Sequence, residues 1–561
     1  MRDLFVGGGL ALVFFVVSFF LGPNGNFPLN DDWQYAHVAK HLAQTGVFKV
    51  DVPVAPTLFL QSVLGAWVSK NFGFSFEALR WLTVALAGVL LTLIYALQRF
   101  AGAQRTWAVL GVLCLLVNPL WLHLTQSFMT EIYGAVIGLF GVCLWFYSKR
   151  RLSLACLAAF IMGSAFWVRQ YSVLVFPAVV GASWIGSGLG IKETFRRFLA
   201  KPLGPLGVGV SFLMPVLAYF FWSRATGNYN PSFAVPFKKT LLRPGIGHWV
   251  IQAPLLVFYV TAAVAPLWMA LGVGHWGWLK AAWRRTWRWS VGVTVVLGCW
   301  GVLAWFFGDQ PYGVRGTLHR FFPFLGNVLS PFGVGPVTLS DVYFGPGLGP
   351  LQFEVWPWLL IEVALVALGG LWATLGRGVF GSLPQKAREL VVFAVLLGAL
   401  TFLASVQAYL FAIFDRYHFQ AMVAAVMCLP VLLSAVVPVP SRKAVATALL
   451  CVGAIGAWTF SAQHDYFAWN AARWKLLQRA DESGVSAREI DGGYEMNGWL
   501  TFEGGRPNAD DPDCGLKQLW FCPSRKFQIG VNLEPGRIEV MRQKVDSWLG
   551  HFPDLLLTER P

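Results

Sequence analysis

Two adjacent aspartates, Asp31 and Asp32, follow closely on the first apolar segment, Leu4 to Leu21, in a chain where Asp and Glu together number only 28 of 561 residues. A carboxylate at a membrane surface can take a proton from a hydroxyl. A nearby Lys or Arg can hold a phosphate as it leaves, so attack and departure are assisted together. The sequence offers both kinds of group: Glu131 stands in the short connection Ser127-Phe128-Met129-Thr130-Glu131, and cations stand at Arg169, Lys238, Lys239 and Arg416. A hydroxyl needs one base, and neighbouring residues at a helix start point in different directions, so only one of the two aspartates is the expected base.

These groups must be positioned by membrane helices. The chain is 56% hydrophobic and 13% charged, far from the roughly 25% charged residues of a soluble domain. Its apolar runs are of the length that crosses about 30 Å of hydrocarbon as a helix. The net charge of +15 sits mainly in short Lys/Arg clusters between those runs. That is the pattern of cytoplasmic loops and not of a nucleic-acid groove, so no nucleic-acid partner is expected. Six clusters, around Arg99/Arg105, Lys149-Arg150-Arg151, Lys192–Lys201, Lys280–Arg288, Arg377–Arg388 and Arg442-Lys443, fall on one side only if the spans between them come in pairs.

The count then closes at about thirteen spans, N-terminus inside and C-terminus outside. They lie at 4–21, 77–98, 106–124, 131–147, 152–168, 171–188, 206–223, 249–272, 289–307, 356–376, 390–412, 417–437 and 444–461. The first is expected to stay as an anchor, because Phe20 to Asn24 offers no small-x-small cleavage site. The apolar run Thr57 to Phe72 is short and reads as an interfacial or re-entrant segment in a long first outer loop, 22–76. In that loop Asn30 can cap a helix whose positive end suits Asp31 and Asp32, Tyr35, Val38, Ala39 and Leu42 recur on one face, and Gly46 closes it. An amphipathic helix over 30–45, lying on the outer membrane surface, is the prediction. From 463 the chain turns polar and mixed, with short alternating runs such as Phe527 to Val531. The expected fold class is therefore an all-α polytopic membrane protein, 1–462, with a small α/β extracytoplasmic C-terminal domain, 463–561.

Other residues carry weaker signals. His37 and His41 stand at i and i+4, which suits a divalent metal ion as well as the exposed face of an amphipathic helix. Glu362 interrupts an apolar run. Cys514 and Cys522 are the cysteines in a polar stretch and could close a short loop by a disulfide; the other six sit in apolar runs as small hydrophobes.

The chemistry these residues suggest is glycosyl transfer from a lipid phosphate, with Trp33 or Tyr35 placed to stack on a sugar or acceptor. The run Asp31-Asp32-Trp33-Gln34-Tyr35-Ala36, then Glu77-Ala78-Leu79-Arg80-Trp81-Leu82 entering a span, then Thr130-Glu131, then Arg416-Tyr417 resembles the GT-C superfamily. Within it the chain is similar to bacterial relatives of the protein O-mannosyltransferases (glycosyltransferase family 39-like) and of the aminoarabinose transferase acting on lipid A. The likeness runs over residues 1–440 in order and topology. It implies a GT-C fold and inverting transfer of a hexosyl or pentosyl group. The implied donor is a polyprenyl-phosphate-linked sugar and the acceptor a lipid, glycan or protein. Transfer would occur at the outer face of the plasma (inner) membrane, with a cytoplasmic N-terminus and a periplasmic C-terminal domain. It further implies Asp31 as the catalytic base, Asp32 in the place of the following acid, and Glu131 in the place of a second-loop acid that is usually Asp, with Asp32 and Glu131 orienting groups or binding a metal. Where relatives of the lipid A enzyme carry Lys-Pro-Pro, this chain has Ala55-Pro56-Thr57, which moves donor-phosphate binding to Arg169, Lys238, Lys239 or Arg416. The prolines that commonly follow the Arg-Tyr pair are absent until Pro430.

Two rival readings share the hydropathy. A lipid or glycolipid transporter or flippase calls for ionisable or helix-breaking residues near the middle of several spans, whereas here the informative charges gather at one face. A receptor or scaffold with a membrane anchor needs far fewer spans.

Overall fold

The computed structural model describes residues 2–22, 25–52, 56–148, 151–188, 202–228, 256–278, 379–408, 415–502, 526–550 and 552–561, with short pieces at 328–330 and 333–335 and a few single positions between them. Apolar segments must satisfy their backbone internally, and here they do so as helices. The chain begins with α1 (Arg2–Leu21). Two short helices, α2 (Asp32–Thr45) and α3 (Phe59–Phe72), fill the connection to α4 (Phe76–Phe100). Next come α5 (Arg105–Leu116), α6 (Pro119–Thr125) and α7 (Thr130–Tyr147). α8 (Leu152–Ser164) and α9 (Val175–Gly186) flank two 3-10 turns, Ala165–Trp167 and Gln170–Leu174. α10 (Leu203–Ala225), α11 (Leu256–Ala263), α12 (Ala265–Gly274), α13 (Gln385–Ala408), α14 (Phe419–Val436) and α15 (Arg442–Glu482) complete the apolar set, and α16 (Tyr494–Thr501) follows.

Among the described residues seven helices are long and apolar enough to cross a membrane, or up to nine if each of two bent pairs is one broken span. The chain is a multi-pass membrane protein. Seven of the expected spans coincide with single helices, two with the bent pairs, and two with the shorter apolar helices Leu152–Trp167 and Gln170–Gly186. The remaining two, 289–307 and 356–376, lie mainly outside the described residues. The 67° bend between α5 and α6 has a local cause: Pro119 donates no hydrogen bond, and Asn118 caps the new helix by accepting from the N–H groups of Leu120 and Trp121. Thr57 to Phe72 forms α3, whose 14 residues fall short of a span and expose Val63, Leu64, Trp67 and Phe72 on one side.

α14 is the central helix: every residue from Phe419 to Leu433 is buried. It packs on α13 and α5, and α4 packs on α1 and α7. At one end of the bundle Asp3 receives Arg99, at 3.1 Å, and Arg105, at 3.1 Å, joining the start of α1 to the end of α4 and the start of α5. Asp31, Glu131 and Arg416 stand at the starts of α2, α7 and α14.

α15 runs unbroken for 41 residues, about 60 Å at 1.5 Å per residue, roughly twice the hydrocarbon thickness. The expected boundary at 462/463 therefore falls inside a continuous helix. Its far half packs on a four-stranded mixed sheet of order β3-β4-β6-β5, formed by β3 (Ile490–Asp491), β4 (Phe527–Gly530), β5 (Ile538–Gln543) and β6 (Leu555–Glu559). A two-residue hairpin, β1 (Leu329–Ser330) with β2 (Gly333–Val334), precedes it in the chain. β3 runs parallel to β4 and the other pairs are antiparallel. Leu555 and Leu557 of β6 and Phe527 and Ile529 of β4 join Tyr466, Trp469 and Leu476 of α15 in one apolar cluster.

The start of the connection between α1 and α4 is held to α4. Arg80 donates from Nη1 to the Gly25 carbonyl at 2.9 Å and from Nη2 to that of Phe27, while Glu77 accepts from the Gly25 N–H at 2.6 Å. Arg80 and Phe27 are buried, so the Phe27 carbonyl has no water to turn to when the guanidinium is removed. Replacing Arg80 by Met is expected to destabilise the detergent-solubilised protein by about 3 kcal/mol, read as a lower thermal unfolding midpoint.

Candidate active site

α2 starts on a constrained turn. Asn30 adopts φ +55, a left-handed backbone that Asn tolerates better than most side chains. The helix therefore begins later than an Asn30 cap would have it: Asp31 takes the cap position, with φ −74 and no side-chain capping bond. Freed from capping, the Asp31 carboxylate turns to other partners. Its Oδ2 accepts from Arg416 Nη2 at 2.6 Å and its Oδ1 accepts from the Tyr494 hydroxyl at 3.0 Å. Asp32 points elsewhere, accepting from the Leu29 N–H at 2.6 Å and the Phe128 N–H at 3.4 Å. Asp32 thus ties the turn to the segment just before Glu131, and Asp31 is the carboxylate presented to a cation.

Glu131 stands in the first turn of α7, where a helix favours negative charge. Its Oε1 lies 2.6 Å from Arg169 Nη1 and 3.9 Å from Arg416 Nε. Its Oε2 is buried with no hydrogen-bond partner among the described residues. Arg169, between the two 3-10 turns, also donates to the Thr130 hydroxyl. The approach depends on Gly134, one turn along α7, because a Cβ there would overlap Ser172 Oγ. Arg416 sits in the 3-10 turn Asp415–His418, which leads into α14. The turn is fixed by Asp415, whose carboxylate accepts from the N–H groups of Val328 (3.0 Å), Leu329 (2.6 Å) and Arg416 (2.8 Å). The Tyr417 ring lies 5.5 Å from each of the two guanidinium carbons, a cation–π distance.

Asp31, Arg416, Glu131 and Arg169 so form an alternating chain of charge at the ends of four helical segments. They are 6%, 4%, 3% and 5% exposed, so water screens them little and each pairing is strong. Tyr35 belongs with them: burial, then the nearby Asp31 carboxylate, pushes its hydroxyl well above the usual range, so it stays neutral.

Other expected residues fall differently. Trp33 is fully buried, its ring against Tyr494 at 6.1 Å and Phe502 at 5.7 Å, because α16 covers that face of α2. For the same reason the first half of α2 is enclosed by protein. Residues 32–36, 38 and 39 are buried inside the protein, residues 37 and 40–43 are half-buried, and its end, closed by Gly46 at φ +71, is exposed. His37 lies 3.6 Å from Asp51, and burial lowers its pKa. Among the described residues no three His, Cys, Asp or Glu side chains converge as a metal site. Lys238, Lys239, Glu362, Cys514 and Cys522 lie outside the described residues. Tyr494 and Asp415 are additions to the expected set. Asp415 adjoins Arg416 in the sequence, whereas Tyr494, in a polar segment with no period, gives no signal.

No family model matches the chain, and no curated protein matches it. Two solved structures are similar to it. The S. cerevisiae protein O-mannosyltransferase Pmt1-Pmt2 complex, bound to the sugar donor, overlaps 40% of this chain at 15% identity, with a TM-score of 0.32. That overlap spans only 34% of the yeast chain. ArnT from Cupriavidus metallidurans, bound to undecaprenyl phosphate, overlaps 83% of this chain and 80% of its own at 12% identity, with a TM-score of 0.34.

Burial raises the Asp32 pKa from an ordinary 3.8 to about 7, against the opposing pull of Arg80 and of its two backbone hydrogen bonds. The folded protein thus holds this proton where the unfolded chain has lost it. The stability it contributes is complete below pH 4 and falls away as pH rises through about 7, at about 1.4 kcal/mol per pKa unit. Unfolding midpoints in detergent should fall from pH 4.5 to 7.5 in the wild type. The Asp32→Asn variant should show a flatter profile over that window.

Proposed function

We propose that the chain is a membrane glycosyltransferase of the GT-C kind. It would move a sugar from a polyprenyl-phosphate donor, with inversion, to a hydroxyl acceptor at the outer face of a plasma (inner) membrane. The observation that carries this reading is the buried contact of Asp31 with Arg416, at 2.6 Å, which sets a base and an anion-binding group side by side where helix ends meet. The motifs around Asp31, Glu131 and Arg416 support it.

In the proposed reaction the donor phosphate lies against Arg416, with Arg169 behind it. Asp31 takes the proton of the acceptor hydroxyl, the acceptor oxygen bonds to the anomeric carbon, and the bond from that carbon to the phosphate oxygen breaks with its electron pair. The phosphate passes from a singly charged diester to a doubly charged monoester while Asp31 goes from charged to neutral. One unit of negative charge has crossed from one side of the Arg416 guanidinium to the other. A fixed cation between the two positions stabilises charge at both, and low dielectric makes that stabilisation large. Glu131, held by Arg169, keeps Arg416 in place as its partner changes.

Arg416 also occupies the Asp31 carboxylate before the donor arrives, at 2.6 Å. A donor phosphate that draws on Arg416 loosens this hold, so Asp31 is freed toward the acceptor when the leaving group is in place.

Envelope lipids, glycans and glycoproteins of source cells lacking this gene should be short of one sugar mass on one class of acceptor, and the wild-type gene should restore it. Asp31→Asn should lower transfer at least about a hundredfold while leaving the amount of protein in the membrane unchanged. Arg416→Ala should cost about a hundredfold or more, and Arg416→Lys should recover only part of that, because Lys lacks the planar fork. Equal restoration by wild type and Asp31→Asn would remove the assignment of the base and favour lipid transport.

A further inference from the structure

α16 is held on the catalytic helix from three directions. Behind it, Glu495 pairs with Arg473 of α15 at 2.8 Å, both side chains fully buried. In front, Gly498 is so close to Trp33 that a Cβ would overlap the indole, while Trp499 packs on Phe76 at 4.9 Å and Phe74 at 5.6 Å. At its start a compact turn is pinned by Asn497, which accepts from the Gly492 N–H at 2.9 Å and donates to Asp491 at 2.8 Å.

Tyr494, the first residue of α16, is thereby delivered to Asp31 from 463 positions away in the sequence. The direction of the hydrogen bonds follows from the groups present. A carboxylate only accepts, so the Tyr494 hydroxyl donates to Asp31 Oδ1 at 3.0 Å, and the Gln34 amide must donate to the tyrosine oxygen at 2.8 Å. Gln34 lies on α2, three residues beyond Asp31, so the loop of contacts closes on the helix that carries the base.

We infer that Tyr494 is a positioning residue for the Asp31 carboxylate, and that the C-terminal segment after α15 thereby completes the active site. With Oδ2 on Arg416 and Oδ1 on Tyr494, the carboxylate cannot rotate, and its remaining lone pairs keep one direction toward an incoming hydroxyl. When Arg416 turns to the donor phosphate, Tyr494 is the contact that still fixes the carboxylate plane. This inference rests on Asp31 acting as the base.

The test uses membranes from cells lacking the gene and carrying wild type, Asp31→Asn, Tyr494→Phe or Gln34→Met, with the sugar-mass increment followed over time at pH 5 to 9. The charged and titratable groups around Asp31 are Arg416, Glu131, Arg169, Tyr35 and the neighbouring Asp32, and none of them is altered in Tyr494→Phe or Gln34→Met. Tyr494→Phe keeps the ring against Trp33 and removes only the donor to the carboxylate. Transfer should fall about tenfold, and the acid limb of its pH profile should move to higher pH by roughly one unit, because a lost hydrogen bond to the charged form raises the pKa of the base. Gln34→Met, which takes away the group that aims the hydroxyl, should move the limb in the same direction by less. A Tyr494→Phe profile like that of wild type, or a lower yield with an unmoved limb, would overturn the inference. If Tyr494→Phe does not accumulate in the membrane, an unmoved limb in Gln34→Met overturns it equally. No increment from wild type itself would instead strike the proposed function.

Discussion

A charge taken out of water into a protein surrounded by hydrocarbon costs several kcal/mol unless another charge meets it at close range. Arg416 obeys this constraint by lying between Asp31 and Glu131, and much of the architecture around it follows. The guanidinium reaches both only because the Asp415–His418 turn is clamped by backbone N–H groups from Val328, Leu329 and Arg416 itself. Asp31 is available only because the left-handed Asn30 moves the helix start and hands the loop-stitching task to Asp32. Glu131 is matched by Arg169 only because Gly134 allows the next segment to come near. Loss of any of these would leave a buried charge without its counter-charge, which is a larger penalty than the loss of one contact.

The same arrangement links stability to chemistry. Alternating charges are mutually satisfied at rest, and any step that neutralises one of them alters the demand on its neighbours. Tyr35 and Tyr494 are suited to such a place because a neutral hydroxyl can donate to a carboxylate without adding charge. The start of α2, beside Asp31, is for this reason packed with the buried Trp33, Gln34 and Tyr35.

How far the sequence could be read differs by kind of feature. Most of the spans are legible because hydrophobic length reports directly on the cost of burying a backbone in lipid. Asp31, Glu131, Arg169 and Arg416 stand out because charges are scarce beside apolar runs. Less legible was the break at Asn118-Pro119 inside the run 106–124; the dipeptide carries the signal, but the run is apolar enough to hide it. The continuation of the helix beyond the last span is hidden for a related reason. Gln463, Asp465, Asn470 and Arg473 look like a chain entering water, yet they are buried against protein, with Asp465 accepting from Ser547 at 2.6 Å and from the Trp548 N–H at 2.7 Å. Hydropathy measures the preference for a solvent and is silent about where a helix stops. Contacts such as Tyr494 with Asp31 have no local signature at all, since they arise from the docking of whole elements.

The unbroken helix from Arg442 to Glu482 sets a length as well as a direction. Each residue inserted or removed along it would turn everything beyond by about 100° and shift it by about 1.5 Å. Loops absorb such changes by bending, whereas a helix packed at both ends transmits them. Its far end carries Arg473, which holds Glu495, so an insertion between the lipid-embedded half and Arg473 would pull α16 out of register with α2. This helix is therefore a fixed ruler between the bilayer and Asp31, and the chain has little freedom to change length anywhere along it.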